Sequence, residues 1–232
     1  MALYIDSAYL NDITNVVQTV PVMGVTTNPS ILLAARERGQ EIAVNTLVDE
    51  ILERLNLTFG SVFIQPGATD EEEMYQQVLA SWQAILAASY SVTRLVHKLP
   101  MNPVGLRVAR RLKKNQENHR IAFTAVTTVA QAYTAAMLEA EFVIPYYNRM
   151  ERAGVNASER IAEMAELFHN QHLPTRILAA SIKSPSEAIT ALLAGAHDIT
   201  APPAVLLAMV SDPQTDAAIE QFAQDWQKMN KV

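Results

Sequence analysis

The chain has 232 residues, half of them hydrophobic, and a formal net charge of −6 from 18 Lys and Arg against 24 Asp and Glu. The absence of cysteine excludes disulfides, thiolate metal sites and cysteine nucleophiles, and it fits a reducing compartment. The acidic balance disfavours a general binder of nucleic acid or anionic membranes, whose surface would be basic. No apolar stretch reaches the roughly 20 residues of a membrane span, and the N-terminus lacks a secretory pattern, so we expect a cytoplasmic protein.

Short apolar runs alternate with longer segments of helical periodicity along the whole chain. Most of the runs are rich in Val, Ile, Leu or Phe without polar alternation, which is typical of strands buried on both faces of a parallel sheet. We predict eight strands, of which the last is the weakest, at residues 3–5, 22–26, 61–65, 94–98, 121–124, 142–146, 176–180 and 198–200.

The segments between these runs carry helix signals. Thr69 with Glu72 has the spacing of a capping box, and so does Ser184 with Glu187. Gly195 stands where the helix after Ser184 should end, which is a common position for glycine.

Eight successive βα units without a long linker favour a single closed (β/α)8 TIM barrel over an open doubly wound sheet, with residues 1–232 as one α/β domain. One more helix follows the last unit, in a C-terminal segment at residues 213–232. Its apolar face, which we predict to cover the barrel or a neighbouring subunit, consists of Ile219, Phe222, Trp226 and Met229.

Catalytic groups of such a barrel lie at the carboxyl ends of its strands. Lys98 ends the fourth apolar run, where loss of hydration would lower the pKa of its amine. A neutral amine can attack a carbonyl carbon and form an iminium, which is an electron sink for cleaving carbon–carbon bonds. The alternative, from position alone, is a lysine whose amine reaches solvent from a strand end.

Other strand ends also carry polar residues. Asp6 could move protons during iminium formation, and it could equally cap the first helix. Gln65, Thr124 and Tyr146 could jointly hold a water molecule, although each alone could be a hydrogen-bonded polar group of the core.

Arg149, Ser181 and Lys183 form a candidate phosphate site, because Arg and Lys suit an anion and a predicted helix begins nearby. A surface ion pair is the alternative for Arg149. The chain contains no GxGxxG, GxxxxGK[ST] or GxSxG motif, which disfavours nucleotide binding and a serine hydrolase.

The histidines give no metal prediction. His169 and His172 lack a second ligand cluster, so we predict no metal site. His97 is adjacent to Lys98 and should point to the opposite face of the strand, where either packing or an indirect effect on the neighbouring amine is expected.

Several motifs in order resemble the fructose-6-phosphate aldolases of the small transaldolase superfamily, over essentially the whole chain. They are LYID at residues 3–6, GVTTNPS at 24–30, FIQ at 63–65, VHKLP at 96–100, PYYNR at 145–149 and LAASIK at 178–183. The resemblance implies a class I aldolase barrel that assembles into pentamers, often paired as decamers, with the C-terminal helix on a neighbouring subunit.

The resemblance also assigns roles to residues. It implies that Lys98 forms a Schiff base with the substrate and that Asp6 is the catalytic aspartate. Five residues are implied in binding the sugar and the catalytic water, and one of them, Tyr146, is implied as an acid or base. A further three receive the sugar phosphate. The residues implied in binding the substrate are Thr26 and Asn28, and those implied in holding the water are Gln65, Thr124 and Tyr146. The residues implied in binding the sugar phosphate are Arg149, Ser181 and Lys183.

Two residues favour the aldolase type within the superfamily, because transaldolases carry Phe at the position of Tyr146 and Glu at that of Gln65. The chain departs from the usual pattern at His97, where a small aliphatic residue is expected. We therefore predict reversible cleavage of fructose 6-phosphate, or a close sugar phosphate, with no metal or organic cofactor. The alternatives are a transaldolase, which transfers the three-carbon unit to an aldose phosphate, and a catalytically silent sugar-phosphate-binding barrel.

Overall fold

Eight parallel strands form a closed barrel in sequential order in the computed structural model, which describes residues 1–41, 43–55, 60–87, 92–115 and 118–230. The strands are β1 (Ala2–Asp6), β2 (Gly24–Thr26), β3 (Ser61–Ile64), β4 (Leu95–Pro100), β5 (Arg120–Val126), β6 (Phe142–Pro145), β7 (Arg176–Ala179) and β8 (Asp198–Ala201). All eight predicted strands are confirmed, with ends shifted by one or two residues. The predicted (β/α)8 fold class is confirmed as well.

Helices surround the barrel and follow the strands in chain order. They are α1 (Leu10–Thr19), α2 (Pro29–Glu37), α3 (Val44–Leu55), α4 (Glu71–Ala87), α5 (Pro103–Lys114), α6 (Val129–Met137), α7 (Tyr147–Arg152), α8 (Ala157–Asn170), α9 (Pro185–Leu193), α10 (Pro203–Ala208) and α11 (Pro213–Met229). A short 3-10 helix, Val92–Arg94, precedes β4. No helix within the described ranges is long and apolar enough to cross a membrane.

The barrel closes where β8 pairs with β1 on one side and β7 on the other. Asp198, at the start of β8, is fully buried, and Arg176 donates two hydrogen bonds to its carboxylate at 2.9 and 2.7 Å. A buried carboxylate needs such a partner, because an uncompensated charge inside a protein is costly. This charged residue is why the apolar pattern of the eighth strand is weak.

Aromatic rings fill the interior of the barrel. The Phe63 ring lies 5.4 Å from the Tyr4 ring and 5.1 Å from the Phe142 ring, centroid to centroid, in edge-to-face arrangements. Edge-to-face packing suits the quadrupoles of aromatic rings. The interior is therefore a packed core.

Helix starts differ in part from the capping predictions. Asp70 caps α4, since its Oδ1 accepts hydrogen bonds from the backbone N–H groups of Glu72 and Glu73, so the prediction that Thr69 caps this helix is wrong. Aspartate is a strong N-cap residue, and it stands directly before the first helical residue. Ser184 caps α9 as predicted, by accepting from the Glu187 N–H at 3.1 Å.

The end of α9 follows the glycine prediction. Gly195 has a φ of +101°, a conformation that residues with a side chain rarely adopt. A Cβ at this position would also lie 2.7 Å from the Cβ of Ala165 on α8. Glycine at this position therefore ends α9 and allows the chain after α9 to pack closely against α8.

The C-terminal helix α11 is present as predicted, and Asp212 caps its first turn through hydrogen bonds to the N–H groups of Gln214 and Thr215. None of its 17 residues is buried. The predicted C-terminal segment also includes residues 231 and 232, which lie outside the described part of the chain.

His97 lies on the outer surface of β4, between the sheet and the helices. Its Nε2 is 3.3 Å from Nδ1 of His119, and the His119 ring lies 4.3 Å from the ring of Trp82 on α4. Burial, with a smaller effect from His119, lowers the pKa of His97 to about 3. The imidazole is therefore neutral in the folded protein at neutral and mildly acidic pH.

Replacing this imidazole should change how stability depends on pH. In the unfolded chain a histidine binds a proton near pH 6.5, whereas folded His97 does so only near pH 3, so His97 lowers the free energy of unfolding as pH falls through this window. When the pH is lowered from 7 to 5.5, the free energy of unfolding should fall by about 1 kcal/mol less in His97→Leu than in the wild type. Chemical denaturation at both pH values measures this difference, with His169→Leu as a control for an exposed imidazole. Equal pH dependence in His97→Leu and the wild type would contradict the prediction.

Candidate active site

Lys98 lies inside the barrel near the carboxyl end of β4 and is only 2% exposed. Its Nζ donates a hydrogen bond to the backbone carbonyl of Thr27 at 3.0 Å. Burial lowers the pKa of the amine, and the negative charge of Asp6 acts in the opposite direction. The amine does not reach bulk solvent, so the alternative of a lysine extending into water is wrong.

The position of Lys98 depends on the helix that follows β4. Asn102 caps α5 by accepting a hydrogen bond from the Gly105 N–H at 2.9 Å. A Cβ on residue 105 would lie 2.1 Å from the carbonyl oxygen of Pro100, so only glycine allows the first turn of α5 to pack this closely. The close packing of α5 against Pro100 thus holds the end of β4, the strand that contains Lys98, in place.

The partly buried carboxylate of Asp6 is hydrogen-bonded to a chain of two buried threonine hydroxyls. Thr26 donates to Oδ1 of Asp6 at 2.8 Å, and its Oγ1 is 2.6 Å from Oγ1 of Thr200. A hydroxyl has one proton, so Thr200 is the donor to Thr26 when Thr26 donates to the carboxylate. The N-cap of α1 is Tyr9, which makes no side-chain capping bond, so the alternative in which Asp6 caps that helix is wrong.

Tyr146 follows β6 and contacts Thr124 on the neighbouring strand β5. The Thr124 hydroxyl donates to the phenol oxygen of Tyr146 at 3.0 Å. Gln65 follows β3, and its Oε1 is buried with no hydrogen-bond partner among the described residues. This amide oxygen is therefore available to accept a hydrogen bond from a ligand or a water molecule.

A bulge in β5 separates Thr124 from Val126, which pair with consecutive residues of β6. The intervening Ala125 has a φ of +61°, a left-handed conformation that costs a residue with a side chain about 1–2 kcal/mol. Backbone strain of this kind concentrates at functional sites. Here it lies directly beside the Thr124 hydroxyl.

The rim of the site carries the cationic side chains. The guanidinium of Arg149, on α7, lies 4.5 Å above the centre of the Tyr146 ring. Ser181 follows β7 with a φ of +60°, and Lys183 lies exposed two residues further along the chain. The opening of the barrel is therefore approached from two segments: α7, which contains Arg149, and the β7–α9 connection, which contains Ser181 and Lys183.

Asn28 combines a structural and a candidate binding position. Its Oδ1 accepts a hydrogen bond from the Ile31 N–H at 3.0 Å and thereby caps α2. The amide NH2 group is then the part of this side chain that can donate to a ligand.

One cavity of about 550 Å³ at the carboxyl ends of the strands collects nearly all of the predicted site residues. Thr26 is the exception, because it is fully buried beneath Asp6. The predicted residues that line the cavity are Asp6, Asn28, Gln65, Lys98, Thr124, Tyr146, Arg149, Ser181 and Lys183. Within the described ranges, no three His, Asp or Glu side chains are placed to hold a metal ion.

Two further residues, Thr200 and Glu187, contact residues of this site and are not among the predicted site residues. Thr200 lies next to Thr26 in space but 174 residues away in the chain, and the polar end of the eighth strand was its only signal. Glu187 has a capping spacing, yet its carboxylate accepts from the Lys183 N–H and from the Asn148 side chain instead of from the Ser184 N–H.

Comparison with solved structures shows the same fold. The chain matches a flavocytochrome b2 mutant with benzoylformate, with a TM-score of 0.60 and 11% identity. The match covers 89% of this chain and 58% of that one, so this protein spans less than two thirds of its length.

Comparison with curated sequences gives closer relatives. Proteins named "Probable transaldolase" from Brucella ovis and Brucella abortus are each 33% identical over 228 residues, which cover 98% of this chain and 97% of the relative. A relative of the same name from Brucella anthropi is 32% identical over the same span. The family model described as Transaldolase/Fructose-6-phosphate aldolase matches residues 3–232. The chain therefore belongs to the transaldolase/fructose-6-phosphate aldolase family.

Proposed function

We propose that this protein is a class I aldolase that reversibly cleaves fructose 6-phosphate, or a close sugar phosphate, into dihydroxyacetone and glyceraldehyde 3-phosphate. The observation that carries the proposal is the burial of the Lys98 amine at the closed end of a polar cavity. Burial favours the uncharged amine, which is the nucleophilic form. The cytoplasm is the compartment that we propose for this activity.

In the first step, Nζ of Lys98 attacks the ketone carbon of the sugar and forms a carbinolamine. Loss of water from this adduct gives an iminium, with the former carbonyl oxygen leaving as water after protonation. Asp6 and the phenol of Tyr146 line the same cavity as the amine and are the proposed proton carriers.

In the second step, the bond between C3 and C4 breaks and its electron pair moves into the iminium, which becomes an enamine. The C4 hydroxyl gives up its proton as it becomes the aldehyde of glyceraldehyde 3-phosphate. A water held by Gln65, Thr124 and Tyr146 would receive that proton, which agrees with the unpartnered Oε1 of Gln65 and the bond between Thr124 and Tyr146.

In the last step, protonation of the enamine carbon and hydrolysis of the iminium release dihydroxyacetone and regenerate the amine. The phosphate of the substrate would lie at the rim, against Arg149, Ser181 and Lys183. Asn28 would bind the hydroxyl groups of the three-carbon unit, while buried Thr26 would contribute through its hydrogen bond to Asp6. The lysine itself supplies the electron sink.

A transaldolase is the second candidate, and the names of the Brucella relatives favour it. It would use the same covalent intermediate but pass the three-carbon unit to an aldose phosphate instead of releasing it. The phenol of Tyr146 favours the aldolase, because a hydroxyl can donate the proton that release requires.

The test of the covalent mechanism is reductive trapping. Incubation with dihydroxyacetone and borohydride, followed by peptide mass spectrometry, should place one reduced adduct on Lys98, because the imine is reduced to a stable secondary amine. Lys98→Met should give no adduct at this position, and exposed Lys114 should stay unlabelled in both proteins. Failure of the wild type to label, under conditions where an active class I aldolase does, would instead support a silent sugar-phosphate-binding barrel.

Tyr146→Phe separates cleavage from transfer. The change removes the phenol hydroxyl, so release of dihydroxyacetone should fall about 100-fold or more, as expected for loss of a general acid or base. Transfer of the three-carbon unit to an aldose phosphate should fall much less. Parallel assays of both reactions on the same preparation measure this, and equal losses would count against the aldolase assignment.

We also propose that the protein is a homo-oligomer, a pentamer or decamer, in which α11 packs on a second copy. Its apolar face is fully on the surface, with Ile219, Phe222, Trp226 and Met229 between 59 and 69% exposed. Packing of an apolar face supplies most of the stability of helices in proteins, so the exposed face of α11 suits a partner surface.

Charge on this face should dissociate the oligomer. The double variant Phe222→Glu with Trp226→Glu should elute as a smaller species in size-exclusion chromatography with light scattering, because two carboxylates cannot be buried in an apolar contact. Gln224→Glu adds a charge to the same helix away from these two residues and is the matched control. A monomeric wild type would rule out the proposed assembly.

A further inference from the structure

Glu187 connects the two parts of the chain that form the rim of the cavity. Its Oε1 accepts a hydrogen bond from Nδ2 of Asn148 at 2.9 Å, and its Oε2 accepts one from the backbone N–H of Lys183 at 2.8 Å. Asn148 precedes Arg149 on α7, while Lys183 lies in the connection from β7 to α9. The Glu187 carboxylate therefore links α7, which contains Arg149, to the β7–α9 connection, which contains Lys183.

The backbone reinforces this link. The N–H of Asn148 donates to the carbonyl oxygen of Ser181 at 3.2 Å, and the N–H of Tyr147 donates to that of Ala180 at 2.8 Å. Ser181 has a φ of +60°, a conformation that the surrounding structure must hold in place. The Lys183 N–H, which donates to Glu187, lies two residues after this strained residue.

Glu187 does not line the substrate cavity, and its two oxygens are occupied by Asn148 and Lys183. A carboxylate that faced a bound phosphate would repel it, whereas the two oxygens of Glu187 face the amide group of Asn148 and the backbone N–H of Lys183. Hydrogen bonds to an ionised carboxylate are stronger than those between neutral groups, so the bridge is suited to fixing a spacing. Its effect on a ligand must act through the residues that it holds.

We propose that Glu187 is a positioning residue that fixes the spacing between Arg149 and Lys183, and so sets the preference of the site for phosphorylated sugars. This inference rests on the proposed function, because it takes these residues as the phosphate-binding groups. It assigns no contact between Glu187 and the substrate.

The competing explanation is that Glu187 only stabilises the start of α9, where a negative charge suits the helix dipole. Glu159 gives a matched control for this effect. It occupies the same third position of α8, and its N–H donates to the capping Asn156 as that of Glu187 does to Ser184.

The test compares two acceptors in the direction of synthesis. For addition of dihydroxyacetone to glyceraldehyde 3-phosphate, Glu187→Ala should raise the KM for the acceptor about tenfold or more, as expected for loss of hydrogen bonds to a charged group. The kcat, and the KM for unphosphorylated glyceraldehyde, should change less than about twofold. Glu187→Gln, which keeps one acceptor oxygen, should fall between the wild type and Glu187→Ala, and Glu159→Ala should behave as the wild type.

Equal changes for both acceptors, the same change in Glu159→Ala, or no change in Glu187→Ala would overturn the proposal. Thermal melting of each variant verifies that it is folded, and Glu187→Gln provides the milder change if Glu187→Ala is not. Borohydride trapping of dihydroxyacetone on Lys98 tests the proposed chemistry separately, since this ketone carries no phosphate.

A wild type without turnover would contradict the proposed function and still leave the role of Glu187 measurable. Calorimetric titration with glyceraldehyde 3-phosphate should then show weaker binding to Glu187→Ala than to Glu159→Ala. Equal affinities would refute the positioning role.

Discussion

The burial of one amine determines how the rest of this molecule is arranged. Lys98 lies at 2% exposure, and its Nζ has the Thr27 carbonyl as its hydrogen-bond acceptor. Removing an ammonium from water is costly, so the surroundings favour the neutral amine, while the carboxylate of Asp6 limits the shift. The amine must be kept from water, and the carboxylate must lie near it. A closed barrel provides both, because it excludes water from its interior and brings the ends of distant strands together.

The two ends of the barrel have different tasks. At the amino ends of the strands, the partly exposed guanidinium of Arg176 pairs with the buried carboxylate of Asp198, and this pair helps to close the sheet between β7 and β8. At the carboxyl ends, polar groups face an open cavity, and Ala125 and Ser181 adopt strained backbone conformations. This division into a stabilising end and a reactive end is general for such barrels.

Much of this architecture could be predicted from the sequence. Buried parallel strands are continuous apolar runs, and the polar residue at the end of each run is a candidate for the site, as Lys98 and Asp6 are. The opposite orientation of His97 follows from the alternation of side chains along a strand, and the structure places this imidazole against His119. The roles assigned to the site residues come from the family resemblance and stay predictions.

The missing parts depend on contacts between distant residues. Thr200 contacts Thr26 only because the barrel closes, and no local pattern in the chain reports a pairing over 174 residues. Glu187 has the sequence spacing of a capping residue, but its carboxylate is taken by donors from α7 and the preceding loop. The N-cap of α4 was misplaced by one residue because Thr69 and Asp70 are both good capping residues, and only backbone geometry selects between them.

The parallel arrangement of the strands has a practical consequence for attaching the protein to a support. Met1 is 94% exposed and precedes β1, so it lies at the amino ends of the strands, while the cavity opens at their carboxyl ends. An affinity tag or surface linker joined to Met1 would orient the mouth of the barrel away from the matrix. Immobilisation through α11 would instead cover the apolar helix face that the proposed assembly uses.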